Sequence, residues 1–195
     1  MTIERLLLFL NTLSPTSPSL DADIRGRVIE ERFKRGHILS SPAGRSRAVW
    51  YLAAGLAKEY YYEPSGKMVI TAFWKENELI VDADSFFGKK HSDKYIELIE
   101  DCMLLTLDSK QAHELQALYP EIHPLGYSIL SAAKRKDNVR SELIVLNGKE
   151  SNHLFSKTFP SERISVTDAA SYLGLSRQTL SMIRSKDIKG LNIKK

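Results

Sequence analysis

Arg177, Gln178, Thr179, Ser181, Arg184 and Lys186 lie close together around the helically spaced apolar pair Leu180 and Ile183. Their side chains share one chemistry. An Arg fork matches guanine O6 and N7, a Gln amide matches adenine N6 and N7, and hydroxyls and Lys suit phosphate oxygens. The residues just upstream supply a geometry for presenting them. Ser165 with Asp168 has the spacing of a capped helix start, and Ala169, Ala170 and Leu173 then share one face. Ala170 is small enough for two helices to cross steeply, and Gly174 can take the positive φ of a tight turn. Leu175 seats the turn, Ser176 caps a second helix, and Leu180 and Ile183 face back to the core. This pattern predicts a helix-turn-helix. Its second helix presents Ser176, Arg177, Gln178, Thr179, Ser181, Met182, Arg184 and Lys186 to DNA. A plain helical hairpin with a solvated face has the same apolar spacing. Small residue, glycine turn, cap and basic face together favour the DNA reader.

Charge follows the same division. The chain has 195 residues, with 28 Lys and Arg against 24 Asp and Glu. Residues 147–195 hold 9 basic and 4 acidic residues, which leaves 19 against 20 in residues 1–146. The positive excess therefore sits beside the predicted reader, where phosphate would be met. Part of it, Lys189, Lys194 and Lys195, reads equally as a solubilising tail.

The elements that must position this face precede it. Helical spacing over Ile3–Leu13 and Leu20–Ile29 is interrupted by Ser14-Pro-Thr-Ser-Pro18. Strand patterning then runs from Glu31 to Asp108. Gly36 and Gly55 act as punctuation, Glu63-Pro-Ser-Gly66 as a hairpin turn, and Tyr95–Ile99 and Cys102–Leu107 form a later pair. Strands at this spacing imply a sandwich or small barrel. Ser109–Leu118 is helical again. Over Glu121–Leu146, Ile122, Leu125, Ile129, Ala132, Lys136, Val139, Leu143 and Leu146 recur at alternating steps of three and four. That stripe predicts either a parallel dimer seam or a face packed on its own domain; the two-fold symmetry of most helix-turn-helix operators favours the dimer.

Several function classes lose support. No apolar run reaches membrane-spanning length, and Leu6–Leu10 lacks the basic start and cleavage site of a signal peptide, so a cytoplasmic location is expected. The single cysteine, Cys102, allows no internal disulfide and reads as a small core residue. His37, His91, His113, His123 and His153 are scattered, without the clustered His and carboxylate ligands of a metal site or of a cupin-type enzyme. No activated nucleophile or matched acid and base is signalled, so no enzyme is expected.

The order of parts resembles the Crp/Fnr superfamily of bacterial transcription regulators over nearly the full length. Phe33-Lys-Arg-Gly36-His-Ile-Leu39, Trp50–Tyr60, Gly66–Ile70, Glu100–Leu105 and above all Ala170–Arg184 carry the likeness. The resemblance implies an α+β chain of three parts. A cyclic-nucleotide-binding-like β-roll (a double-stranded β-helix) would span 1–120, a dimerisation helix 121–146 and a helix-turn-helix domain 147–195. It further implies a homodimer, double-stranded DNA and RNA polymerase as partners, and a major-groove role for the recognition helix. Arg177 matches the family pattern there, but Gln178 replaces the usual Glu and Met182 the usual second Arg, so the preferred bases should differ. Only Asp187–Lys195 would follow the recognition helix, too little for a two-stranded wing. In the phosphate-binding cassette of the resemblance, Glu78, Lys94 and Tyr95 are the candidate effector residues. Asn77 stands for a glycine, Lys94 for an Arg fork and Tyr95 for a small hydroxyl, which disfavours a cyclic nucleotide. Lys89, Lys90, His91 and Lys94 could attract another anion or form a solvated loop. Alternatives to a regulator are a nucleotide-binding or protein-interaction module without specific DNA binding.

Overall fold

Short apolar and aromatic runs separated by Gly and Pro turns pair into two four-stranded sheets in the computed structural model, which describes residues 2–42, 44, 48–86 and 91–192. Two helices come first, α1 (Thr2–Leu13) and α2 (Pro18–Arg27), the latter capped by the Ser17 hydroxyl accepting from Leu20 N. The strands follow: β1 (Ile29–Phe33), β2 (Ile38–Ser40), β3 (Ala48–Ala54), β4 (Ala57–Tyr62), β5 (Met68–Trp74), β6 (Glu78–Ile80), β7 (Tyr95–Leu98) and β8 (Cys102–Asp108), with a short helix α3 (Ala83–Phe86) after β6. One sheet has the order β1-β8-β3-β6 and the other β2-β7-β4-β5. Strand β8 is central in the first sheet, running antiparallel to β1 with Glu31 opposite Leu104 and to β3 with Tyr51 opposite Leu105. The helices α4 (Ser109–Leu118), α5 (Ile122–Ile144), α6 (Gly148–Thr158), α7 (Val166–Leu173) and α8 (Arg177–Asn192) complete the described chain.

Strand β3 is buried along almost its whole length, because both of its faces are covered. Tyr51 and Ala53 join Leu105 in a core with Leu6, Leu7 and Leu10 of α1, Leu20 and Ile24 of α2, Leu115 of α4 and Leu125 of α5. Gly55 permits a close approach: a Cβ there would lie 2.3 Å from Cys102 Sγ, and its φ is +106°. Cys102 is itself a buried core residue, as its alternating context predicts.

The chain divides into two compact units, 1–59 with 73–135 and 60–72 with 136–195. The long helix is thus shared at 135/136, and the tip of the β4–β5 hairpin belongs to the second unit. That tip turns where predicted, with Gly66 at φ +80° and its N–H donating to Glu63 O at 2.8 Å. Helix α6 has no counterpart in the sequence reading. Helix α8 also runs to Asn192, so most of the stretch expected after the recognition helix is helical. Lys89, Lys90, Lys194 and Lys195 lie outside the described residues, as does the side chain of Lys189.

Candidate nucleic-acid interface

The second unit is built on aromatic packing. Phe155 of α6, Phe159 directly after it and Tyr172 of α7 form a ring cluster with centroids 5.2–5.7 Å apart, and the Arg140 guanidinium sits 6.0 Å over Tyr172. Burial pushes the Tyr172 phenol far above its ordinary range. Leu143, Ile164, Ala169, Ala170, Leu173 and Leu180 are buried with them. Gly148, at the start of α6, marks a close helix crossing: a Cβ there would come within 2.9 Å of Ile183 Cδ1.

On this core the two predicted helices form with the predicted caps. Ser165 Oγ accepts from Asp168 N at 3.0 Å. Gly174 closes α7 in the left-handed conformation, φ +67°, while Leu175 N donates to Ala170 O at 2.9 Å. Ser176 Oγ accepts from Thr179 N at 3.0 Å and caps α8. Ala170 is 2% exposed at the crossing, the place its small size predicts.

Helix α8 then sorts its side chains. Leu180 is buried and Ile183 half-buried, while Arg177, Gln178, Ser181, Met182, Ser185 and Lys186 are exposed. Positions 177, 178, 181, 182 and 185 share one face at helical spacing. Three of the predicted contact residues also have partners within the chain. Ser176 acts as the cap, with its hydroxyl 2.8 Å from that of Thr179, so both hydroxyls have local partners. Arg184, expected to point outward, is turned inward. Its Nε donates to Asn152 Oδ1 at 3.2 Å, its Nη2 is buried without a hydrogen-bond partner, and burial lowers its pKa. Ser185 was not anticipated on the exposed face; its Oγ donates to Ser181 O at 2.9 Å.

A further tie was not legible beforehand. Ser171 of α7 donates through Oγ to Met68 O and accepts from Ile70 N, both at 3.0 Å. One hydroxyl thereby serves both a carbonyl and an amide of β5.

The predicted seam residues of α5 are partly covered within their own units. In the first unit Leu125 is buried and Ile122 and Ile129 are half-buried against the helical core, and in the second unit Leu143 is 3% exposed. These residues satisfy their own units first. Ala132, Lys136, Val139 and Leu146 are half-buried, whereas Tyr127 at 76%, Leu130 at 37% and Ile144 at 41% are the exposed large apolar residues of α5.

The candidate effector residues have other partners. Glu78 accepts from Lys75 N at 3.1 Å in the turn before β6. Lys94 Nζ pairs with Glu59 Oε1 at 2.8 Å, and Tyr95 is a half-buried residue of β7. The expectation that Asn77 lacks the needed backbone freedom is corrected: it adopts φ +65°, a left-handed conformation Asn tolerates, with its Oδ1 accepting from Tyr51 Oη at 2.9 Å. With its lysine already paired to a carboxylate, this set does not fit a cyclic phosphate. Among the described residues no helix is long and apolar enough to cross a membrane, and no group of three His, Cys, Asp or Glu could hold a metal ion.

This architecture recurs in many solved structures. FixK2 from Bradyrhizobium japonicum superposes with a TM-score of 0.72 at 15% identity, covering 84% of this chain and 86% of that one. The c-di-GMP-responsive global regulator CLP of Xanthomonas campestris gives 0.68 at 14% identity, covering 90% and 94%. A CRP-family transcriptional regulator from Thermus thermophilus gives 0.66 at 12%, covering 82% and 85%. No protein-family model and no curated protein matches the chain. The chain therefore has the fold of the Crp/Fnr transcription regulators, an α+β fold with antiparallel sheets.

Proposed function

We propose that this protein is a homodimeric, sequence-specific DNA-binding transcription regulator of Crp/Fnr type. The observation that carries this reading is the exposed row Arg177, Gln178, Ser181 and Met182, held outward by the Gly174 turn while Leu180 and Arg184 turn inward. In a major groove Arg177 is the donor for guanine, Gln178 the partner for adenine, and Met182 an apolar contact for a thymine methyl. Ser181, Ser185 and Lys186 are placed for phosphates. A helix-turn-helix reader gains specificity from a two-fold partner, and the exposed apolar residues Tyr127 and Leu130 of α5 are where a second copy would pack.

Residues 1–120 act in this reading as a sensor, 121–146 as the dimer helix and 147–195 as the DNA-binding domain. The location is cytoplasmic, the further partner RNA polymerase, and no catalysis is involved. A cyclic nucleotide is disfavoured as the effector, with Lys94 paired to Glu59 and Tyr95 standing where the resemblance has a small hydroxyl. Selection from random double-stranded DNA by the purified full chain tests the proposal. An enriched two-fold-symmetric site is expected, and uniform recovery of all sequences would refute it.

A further inference from the structure

Within the first unit lies a cavity of about 540 Å³, between the face of β3, β6 and β8 that carries Tyr51, Leu79 and Leu105 and the helices α1, α2, α4 and α5. None of Glu78, Lys94 or Tyr95 lines it. It opens to solvent, since His113, Gln116, His123, Tyr127 and Leu130 among its lining residues are exposed. Its size falls in the range of ligand pockets, about 300–1,000 Å³. Water is a poor occupant of the apolar part, because each molecule needs two to four polar partners. Leucine and isoleucine side chains from both layers form most of that wall.

Nitrogen-bearing side chains collect on one side only, where α4 and α5 meet. His113 and Gln116 of α4 and His123 of α5 line the cavity there, with Gln116 Nε2 3.5 Å from His123 Nδ1. The Nδ1 of His113 is engaged by Ser109 O, which leaves Nε2 for a ligand. Imidazole and amide N–H groups are donors, and no Asp or Glu is among the lining residues to repel an anion. A long apolar body with a single acceptor head matches this division.

We propose that the cavity binds a medium- or long-chain carboxylate, its chain along the leucine and isoleucine wall and its head at His113, Gln116 and His123. The inference does not rest on the DNA-binding reading, since it is measured on the protein alone, although Tyr127 and Leu130, assigned above to a second copy, also line the cavity.

Calorimetric titration of the full chain with decanoate, and with decanol as the headless control, tests it. Saturable micromolar binding of decanoate is expected, with decanol weaker by roughly tenfold through loss of the charge-assisted contacts. Ala112→Trp and Gly126→Leu each narrow the cavity and should abolish binding. Circular dichroism identifies whichever variant stays folded. His113→Ala combined with His123→Ala should bring decanoate down to the affinity of decanol. No saturable binding would overturn the proposal, as would equal binding of decanol or undiminished binding to a folded cavity variant. So would the finding that the cavity variants convert a dimer to monomers while decanoate fails to bind, because the cavity would then be a contact between copies of this chain.

Discussion

Arg177 and Arg184 are seven positions apart on α8, yet one is exposed and the other turned inward, and paired substitutions separate the tasks proposed for them. Arg177 is exposed at the first turn and touches nothing its loss would leave unsatisfied, so Arg177→Ala should change folding stability by no more than about 0.5 kcal/mol. On the selected DNA site it should remove a bidentate base contact, about 1–3 kcal/mol or roughly 5- to 150-fold in Kd, and relax preference at one base pair. Arg184→Ala acts on the fold. It removes the Nε bond to Asn152 Oδ1, leaving the amide oxygen of a buried residue without that donor, at about 1.5–3 kcal/mol. The buried, unpartnered Nη2 already opposes folding, and its removal offsets part of that loss. A net loss of about 1–2 kcal/mol remains, a drop of roughly 2–8 °C in Tm for a chain of this size. Differential scanning fluorimetry and gel shifts against specific and scrambled duplexes read both effects. If Arg184→Ala abolished discrimination at a base pair with Tm unchanged, or Arg177→Ala left affinity and base preference intact, the assignment of the α8 faces would be wrong.

Lys186→Ala should weaken specific and nonspecific DNA alike and reduce the slope of log K against log salt by about one, which a salt titration of the gel shift measures. Leu130→Asp places a charge on the exposed apolar face of α5 and should convert dimers to monomers in sedimentation with little change in Tm; a wild-type monomer at micromolar concentration would remove the basis for the dimer. Ser171→Ala should cost about 1–3 kcal/mol by unpairing Ile70 N and Met68 O, and hydrogen exchange should report lost protection at Ile70. Cyclic AMP should give no micromolar binding heat, and a clear isotherm would restore Glu78, Lys94 and Tyr95 as a phosphate and ribose site.

The helix-turn-helix was legible because its determinants are local. Ser165, Ala170, Gly174 and Ser176 each act through backbone geometry within a few residues, and each occupies its predicted place. The strands were legible through alternation and turn residues. Helix α6 was not, because its inward face is Ser151, Asn152 and Phe155, and buried polar residues erase the apolar period. An Asn147 cap ahead of Glu150 was the available signal. Arg184 was misdirected for a related reason: a charge is read as solvent-facing until a buried acceptor such as Asn152 is known, and that acceptor is 32 residues away. On α5 a heptad stripe shows that a face will be covered without showing by what. Leu125 and Leu143 are covered by their own units, and exposure moves to Tyr127 and Leu130. Asn77 was underestimated because its left-handed backbone goes with a bond to Tyr51, 26 residues away in sequence.

The hydroxyl of Ser171 joins a helix of the reading head to a strand segment that the chain laid down a hundred residues earlier. The second unit is therefore discontinuous, 60–72 with 136–195, and no single cut of the chain releases it whole. A fragment beginning at Lys136 would carry every residue proposed to face DNA yet expose the side of α7 that the hairpin covers. Swapping tails between relatives meets the same obstacle. A grafted helix-turn-helix would have to arrive with a matching hairpin, so the reading head and its strand segment must diverge as a pair.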